Sequence, residues 1–185
     1  MELSGPAWVP RFPNSRSLDD LSPGFRNKAK AFVAALKAAG ATISIADTLR
    51  PPERAHLMHF AFAIANEGLS PASVPAKAGV DIQWLHPAAP GTSAAKASKD
   101  AAAKMVAGYG IVFKPALGSR HTEGNAIDMS ISWIGDLVIK KADGTSVTVT
   151  SAPRDGGNAS VQKVGESYGV IKLVTDPPHW STDGH

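Results

Sequence analysis

Apolar and polar residues recur with helical periods in the first half of the chain. Residues Ser22 to Gly40 predict a helix, because apolar positions recur every three or four residues, Ser22 suits an N-cap and Gly40 ends the pattern. Its apolar face consists of Phe25, Ala29, Phe32, Val33 and Leu36. Residues 41–47 then predict a short strand and residues 52–68 a second helix. A Pro-rich loop follows, and an Ala-rich third helix is predicted to end near Gly108 or Gly110.

Strict alternation replaces this pattern in the second half of the chain. The apolar side chains from Ile127 to Trp133 alternate with Asp128, Ser130 and Ser132, which predicts a half-buried strand with one polar face. Residues 137–151 predict a hairpin around Asp143-Gly144, residues 158–169 a short helix, and residues 170–180 a last strand that runs into two prolines. Mixed helices and antiparallel strands favour an α+β fold.

Length and composition favour one globular domain over residues 1–185, in which roughly the first 20 residues, rich in Pro and Ser, wrap the surface. Hydrophobic residues make up 43% of the chain, and no apolar run approaches the roughly 20 residues of a membrane span. The N-terminal residues lack the basic and apolar regions of a secretory signal, so we expect synthesis in the cytoplasm. The net charge of +3 is scattered, which argues against a nucleic-acid surface.

The absence of cysteine limits the chemistry that the chain can support. Disulfides, thiolate zinc sites, iron–sulfur clusters and cysteine nucleophiles are excluded together. Any metal must therefore be held by histidines and carboxylates. His56 and His59 are three residues apart on the second predicted helix, but no carboxylate partner is evident, and we interpret them as packing or surface residues.

Two short segments combine histidine with aspartate. His121 lies in a turn that Gly124 can relax, and Asp128 lies on the polar side of the following strand, so both side chains can face one point. Asp176 and His179 are separated by two prolines, whose polyproline II preference of three residues per turn would point them the same way. This arrangement allows one of the two to bind a metal and the other to act on its water.

The segment "SRHTEGNAID" resembles the Ser-x-His-x-x-Gly-x-Ala-x-Asp signature of zinc D-alanyl-D-alanine carboxypeptidases and phage L-alanyl-D-glutamate endopeptidases. The segment "DPPHW" resembles their acidic-x-x-His element, and "TLRPPER" supplies an upstream arginine. The resemblance covers roughly Phe25 to Trp180 in layout, with specific identity confined to these three segments. It implies the fold that these enzymes share with lysostaphin-type peptidases and the hedgehog signalling domain, a small antiparallel sheet that carries one zinc ion and is flanked by helices.

The resemblance also implies a role for individual residues. His121, Asp128 and His179 would bind zinc, Asp176 would be the general base, and Arg50 would stabilise the oxyanion of the tetrahedral intermediate. Such a ligand set suits zinc and also non-haem iron.

Three further residues complete the predicted site. Ser119 and Gly124 would shape the turn that presents His121, and Trp180, which follows a ligand, would wall the cleft.

Two positions depart from the usual pattern of these enzymes. Many relatives carry Glu where this chain has Asp176, although some phage endopeptidases look similar in using Asp. The arginine segment usually has the form Gly-Tyr/Phe-Arg-Ser followed by a glutamine, whereas here it is "DTLRPPERAH". Arg54 is therefore an alternative to Arg50, and Arg50 could instead be a surface residue or a partner of Asp47.

The predicted function is hydrolysis of the bacterial peptidoglycan stem peptide by a monomeric zinc peptidase. Cleavage between L-Ala and D-Glu, as in a phage endolysin, is favoured by the aspartate at position 176 and the compact single domain. The first alternative is a D,D-carboxypeptidase that removes the terminal D-Ala. The second is a zinc-containing binding module without hydrolysis. In either enzymatic case the protein would act in the periplasm or cell wall after release or delivery.

Overall fold

A computed structural model describes residues 1–185 and contains four α-helices and eight short strands. The helices are α1 (Pro23–Ala38), α2 (Pro52–Asn66), α3 (Ala94–Tyr109) and α4 (Ala159–Ser167). The strands are β1 (Glu2–Leu3), β2 (Thr42–Asp47), β3 (Ile82–Gln83), β4 (Ala126–Ser132), β5 (Leu137–Lys140), β6 (Ser146–Val149), β7 (Ile171–Lys172) and β8 (His179–Ser181). This mixture of helices with small, mostly antiparallel sheets confirms the α+β class. None of the helices combines the length and the apolar character needed to cross a membrane.

The chain divides into two compact units, each formed by two segments. The first unit comprises Met1–Pro13 and Pro51–Gly118, and the second comprises Asn14–Arg50 and Ser119–His185. Each unit has its own hydrophobic core. The single-domain interpretation stays a prediction.

The first unit is built on the packing of α2 against α3, the second and third helices that the sequence predicted. Its core includes Leu57, Phe60, Ile64 and Met105, with the indole of Trp8 only 2% exposed. The N-terminal segment therefore does more than wrap the surface, because it supplies a buried side chain. In addition, β1 pairs in parallel with β3, a two-residue strand inside the segment that the sequence predicted to be a loop.

The second unit contains a four-stranded antiparallel sheet in the order β2-β4-β8-β7. The alternation predicted for β4 is confirmed, since Ile127, Met129 and Ile131 are buried in one core with the helix residues Phe25 and Phe32. The intervening side chains, including Asp128, therefore face the opposite side of the sheet. The sheet thus separates a packed apolar face from a polar face.

The predicted hairpin is confirmed as β5 and β6, which pair around a turn in which Gly144 has a φ of +86°. The predicted last strand is interrupted. Residues 171–172 and 179–181 form two separate strands, and the chain between them turns back so that β7 and β8 pair with each other. The two adjacent prolines cannot donate backbone hydrogen bonds, so a ladder through residues 177–178 would lose its donors.

Candidate metal centre

The pairing of β4 with β8 brings the two predicted motif segments together. Asp128 lies directly opposite His179 in the antiparallel register, so both side chains project from the same face of the sheet. The carboxylate Oδ1 of Asp128 lies 3.0 Å from Nδ1 of His179. A pair separated by 51 residues in sequence is thereby placed at contact distance.

The turn that carries His121 is closed by its own side chains. The backbone N–H of Ser119 donates to the hydroxyl of Thr122 at 2.7 Å, and that hydroxyl donates back to the carbonyl of Ser119 at 2.8 Å. The N–H of Thr122 also donates to the Ser119 hydroxyl at 3.3 Å. Ser119 therefore lies where the sequence placed it, at the base of the turn that presents His121.

Gly124 ends this turn in a conformation that other residues adopt poorly. Its φ is +69°, and a β-carbon at this position would lie 2.8 Å from the backbone nitrogen of Ser22. Because the side chain is absent, the N–H of Ser22 can donate to the Gly124 carbonyl at 2.9 Å. The predicted N-cap Ser22 does not cap α1 with its hydroxyl, which bonds Asn125 at 2.5 Å instead. The start of α1 thus fixes the end of the histidine turn.

Three ligand atoms from these segments form a compact triangle. His121 Nε2 lies 3.1 Å from Asp128 Oδ1 and 3.2 Å from His179 Nδ1, which completes the triangle with the Asp128–His179 edge of 3.0 Å. Tetrahedral zinc bound at about 2.0–2.1 Å separates its ligand atoms by about 3.3–3.4 Å. His121, Asp128 and His179 therefore fit a small divalent cation and could hold a metal ion.

Backbone carbonyls determine which imidazole nitrogens are free to act as ligands. Nδ1 of His121 lies 3.1 Å from the carbonyl of Thr48, and Nε2 of His179 lies 3.1 Å from the main-chain oxygen of His185. A carbonyl oxygen only accepts, so each of these nitrogens carries the proton and donates. The opposite nitrogen of each ring then offers a lone pair to the triangle. This outer hydrogen bonding is typical of metal-binding histidines.

The electrostatics of the triangle favour a positive charge at its centre. Burial alone would raise the pKa of Asp128, but the hydrogen bonds and charges of His121 and His179 outweigh it and hold that pKa well below its ordinary value. Burial acts to lower the pKa of His121, yet the bond and charge of Asp128 together raise it. The carboxylate is therefore ionised at neutral pH, and a proton and a metal cation compete for the same position.

A second carboxylate lies beside the triangle because of a β-bulge. Ile45 pairs with Met129 and Asp47 pairs with Asp128, so Ala46 is an extra residue in β2 and Asp47 stands next to Asp128. Burial raises the pKa of Asp47, while the charges of His121 and Arg50 act against the rise. The side-chain amide of Asn14 donates to Asp47 at 2.6 Å. A second acidic side chain therefore lies beside the three candidate ligands.

Arg50 lies in the same unit as the candidate ligands. Its backbone N–H donates to the carbonyl of His121 at 3.0 Å, and its guanidinium lies 3.6 Å from the Asp47 carboxylate. Its Nε is buried without a hydrogen-bond partner. Arg54 belongs to the first unit, where its guanidinium bonds the Val9 carbonyl at 3.1 Å and stacks 4.8 Å from the Tyr109 ring.

Asp176 lies in the turn that ends at His179, but not in a polyproline II conformation. The N–H of His179 donates to the Asp176 carbonyl at 3.1 Å, which closes a four-residue turn through the two prolines. The side chain of Asp176 is exposed and makes no hydrogen bond or ion pair with the rest of the chain. A free carboxylate therefore stands three residues before a candidate ligand.

Trp180 occupies the core instead of the wall of a cleft. Its ring is fully buried and lies 5.4 Å from the ring of Phe32, centroid to centroid. Successive residues of a strand point to opposite faces, so the side chain that follows His179 must turn away from the metal face. Trp180 therefore packs β8 against the hydrophobic core of the second unit.

Several contributors to the site escaped the sequence analysis. Thr48 and His185 act through main-chain oxygens, for which no side-chain pattern exists. Asp47 could be noticed only as a carboxylate three residues before Arg50, because the bulge that turns it towards the site depends on strand pairing. His56 and His59 are not part of the cluster, and the buried His56 packs on Phe60 in agreement with the packing interpretation.

Comparison with known proteins adds no relative to this geometry. No protein-family model matches the chain, and no curated protein matches it either. The interpretation of the site therefore depends on its own residues and their arrangement.

Proposed function

We propose that this chain is a zinc-dependent peptidoglycan peptidase that hydrolyses the stem peptide between L-Ala and D-Glu, in the manner of phage endolysins. The fold would then be that of the zinc D-Ala-D-Ala peptidases and the hedgehog domain. The protein would work as a monomer in the periplasm or cell wall, where this substrate lies.

One observation carries the proposal. The three residues that the motif resemblance selects as ligands, His121, Asp128 and His179, converge to within hydrogen-bonding distance of one another, although His179 is 51 residues from Asp128 and 58 from His121 in sequence. The two imidazoles have their outer nitrogens bonded to carbonyls, as expected for zinc-binding histidines. A catalytic zinc site has three such protein ligands and one open position.

The chemistry divides between the ion and the side chains around it. When bound, zinc would supply Lewis-acid polarisation and lower the pKa of water to near 7. The free carboxylate of Asp176 would accept a proton from the attacking water and deliver it to the leaving amine. The partly exposed guanidinium of Arg50 would donate to the carbonyl oxygen as negative charge develops there.

Metal analysis and hydrolysis test this proposal together. Purified protein should contain one zinc per chain, and it should reduce the turbidity of permeabilised bacteria until a chelator is added, with recovery on zinc addition. Mass analysis of digested muropeptides should show cleavage between L-Ala and D-Glu. Loss of one alanine from the stem would instead indicate the carboxypeptidase, and iron in place of zinc would contradict the metal assignment.

A substitution at Asp176 separates an enzyme from a binding module. Asp176→Asn should retain zinc and folding but lose about 100-fold to 10,000-fold in turnover, because the amide cannot accept the proton. Asp136→Asn is a matched control, since Asp136 is also an exposed carboxylate of the second unit. Equal turnover in both variants would show that Asp176 is not the general base.

A further inference from the structure

The segment from Leu173 to His179 forms a closed ring of backbone hydrogen bonds. The N–H of Asp176 donates to the Leu173 carbonyl at 3.2 Å, and the N–H of His179 donates to the Asp176 carbonyl at 3.1 Å. The N–H of Leu173 then donates to the His179 carbonyl at 3.1 Å and closes the ring. Three carbonyls spaced three residues apart thereby come together in one place.

The ammonium of Lys172 binds these same three carbonyls. Its Nζ donates to Leu173 at 2.5 Å, to His179 at 3.0 Å, and to Asp176. Only the charged form of lysine has three N–H groups, so three acceptors require the ammonium. The residue is only 8% exposed, which is unusual for a lysine. The position of this charge is therefore determined by the ring.

Lys172 approaches the ring from the core side of the sheet. Lys172 pairs with Trp180 across β7 and β8, and its Nζ lies 5.7 Å from the centroid of the Trp180 ring. His179, the neighbour of Trp180, projects from the opposite face. The lysine thus contacts main-chain oxygens of the segment and not the imidazole of His179.

We propose that Lys172 is the positioning residue of this centre, which fixes the backbone ring so that His179 and Asp176 keep their places relative to Asp128 and His121. The part that concerns Asp176 rests on the proposed function, whereas the part that concerns His179 rests only on metal binding. Removal of residues that orient metal ligands typically costs 10-fold to 100-fold in affinity or activity. A displacement of about 1 Å at a reacting group can cost about 100-fold in rate.

If Lys172 only stabilised the fold, its replacement would lower Tm together with zinc affinity and kcat. Each of the three carbonyls already accepts one backbone N–H, so none of them loses its only partner when the ammonium is removed. A buried carbonyl that keeps one hydrogen bond avoids the full cost of an unsatisfied polar group. A loss of zinc affinity and kcat without a matching loss of Tm therefore identifies positioning.

The experiment compares Lys172→Met with Lys163→Met, which removes an exposed lysine of α4 in the same unit. Zinc affinity is measured by competition with a chromogenic chelator, kcat and KM are measured on the zinc-loaded proteins, and Tm is measured on the metal-free proteins, where zinc binding adds no stability. We expect Lys172→Met to lose about 10-fold in zinc affinity and 10-fold to 100-fold in kcat, with KM within about twofold. Lys163→Met should match the parent protein.

Two further variants keep the test decisive if the methionine variant does not fold. Lys172→Arg retains a charged donor and should bind zinc within about threefold of the parent, whereas Lys172→Gln should lose about 10-fold. Parental zinc affinity in Lys172→Met or Lys172→Gln would overturn the proposal. A parent protein that binds zinc but cleaves no peptidoglycan would refute the proposed function only, because the affinity comparison would still test Lys172.

Discussion

Each of the two units carries a pair of histidines, but the surroundings of the two pairs are opposite. In the second unit, His121 and His179 both contact the carboxylate of Asp128 at 3.0 to 3.1 Å, although they are 58 residues apart in sequence. In the first unit, His56 and His59 lie on one helix and stack on Phe60, with ring centroids 4.6 and 4.9 Å from that of the phenyl ring. The histidines that are close in sequence therefore meet an apolar ring, and the distant ones meet a carboxylate.

The different surroundings move the pKa values in opposite directions. Burial, together with the charges of Lys77 and His59, lowers the pKa of His56 to about 4. Near Asp128, the carboxylate overcomes burial and raises the pKa of His121. In this chain, the histidines that are close in sequence are therefore not those of the candidate metal site. A converging carboxylate is what favours a cation.

Loss of a candidate ligand should have the largest effect, a loss of zinc affinity that is confined to the histidines of the second unit. We expect His121→Ala to weaken zinc binding more than about 1,000-fold, because two remaining ligands cannot complete the site. His59→Gln is the matched substitution in the first unit and should leave zinc affinity unchanged. Chelator competition measures both, and equal affinity of the two variants would show that the His121 cluster does not bind the ion.

Gly124→Ala should destabilise the turn that presents His121. The positive φ and the approach of a β-carbon to within 2.8 Å of the Ser22 nitrogen should together reduce the free energy of unfolding by about 2–4 kcal/mol. Gly135→Ala is a matched control, since Gly135 has a φ of +73° but a β-carbon there would meet no atom within 4 Å, and it should cost only about 1 kcal/mol. Urea denaturation gives both values, and equal losses would mean that the close approach to Ser22 has no energetic weight.

Zinc removal should affect the two units unequally. At a free zinc concentration of about 100 times Kd, binding stabilises the folded state by about 2.7 kcal/mol. Hydrogen exchange followed by mass spectrometry should show that chelation reduces protection in β4, β8 and residues 119–124. Protection in α2 around His56 should change little, and an equal loss in both places would show that the zinc effect is not confined to the second unit.

Protonation of His56 should have the smallest effect, a decrease in the stability of the folded protein as the pH falls. Its pKa is about 4 in the folded protein and near 6.5 when unfolded, so the unfolded state binds more protons between these values. The contribution of His56 to stability should be full above about pH 6.5 and fall towards pH 4, by about 1–3 kcal/mol after allowance for solvent screening. Urea denaturation of the metal-free protein across this pH range measures the dependence. His56→Leu should remove the slope, and an unchanged slope in that variant would assign it to other groups.

The local elements could be predicted wherever one residue pattern decides them. The helical period from Phe25 to Leu36 and the alternation from Ile127 to Ile131 each describe a single buried face, and both predictions are confirmed. The prediction of one continuous final strand was wrong, because residues 173–178 make contacts that no hydrophobic periodicity can indicate. Lys172 and the backbone ring over residues 173–179 replace the ladder there.

For the candidate site, the sequence by itself determined which residue types were available. Without cysteine, a metal can be held only by histidines and carboxylates, and the resemblance to the peptidase motifs implied His121, Asp128 and His179 as the ligands. Only the tertiary structure decided that these atoms meet, because the β4–β8 register and the turn at Gly124 depend on pairing between distant segments. It also decided the carbonyl partners of both histidines, the bulge beside Asp47 and the burial of Lys172, since main-chain atoms and strand register have no signature in a single sequence.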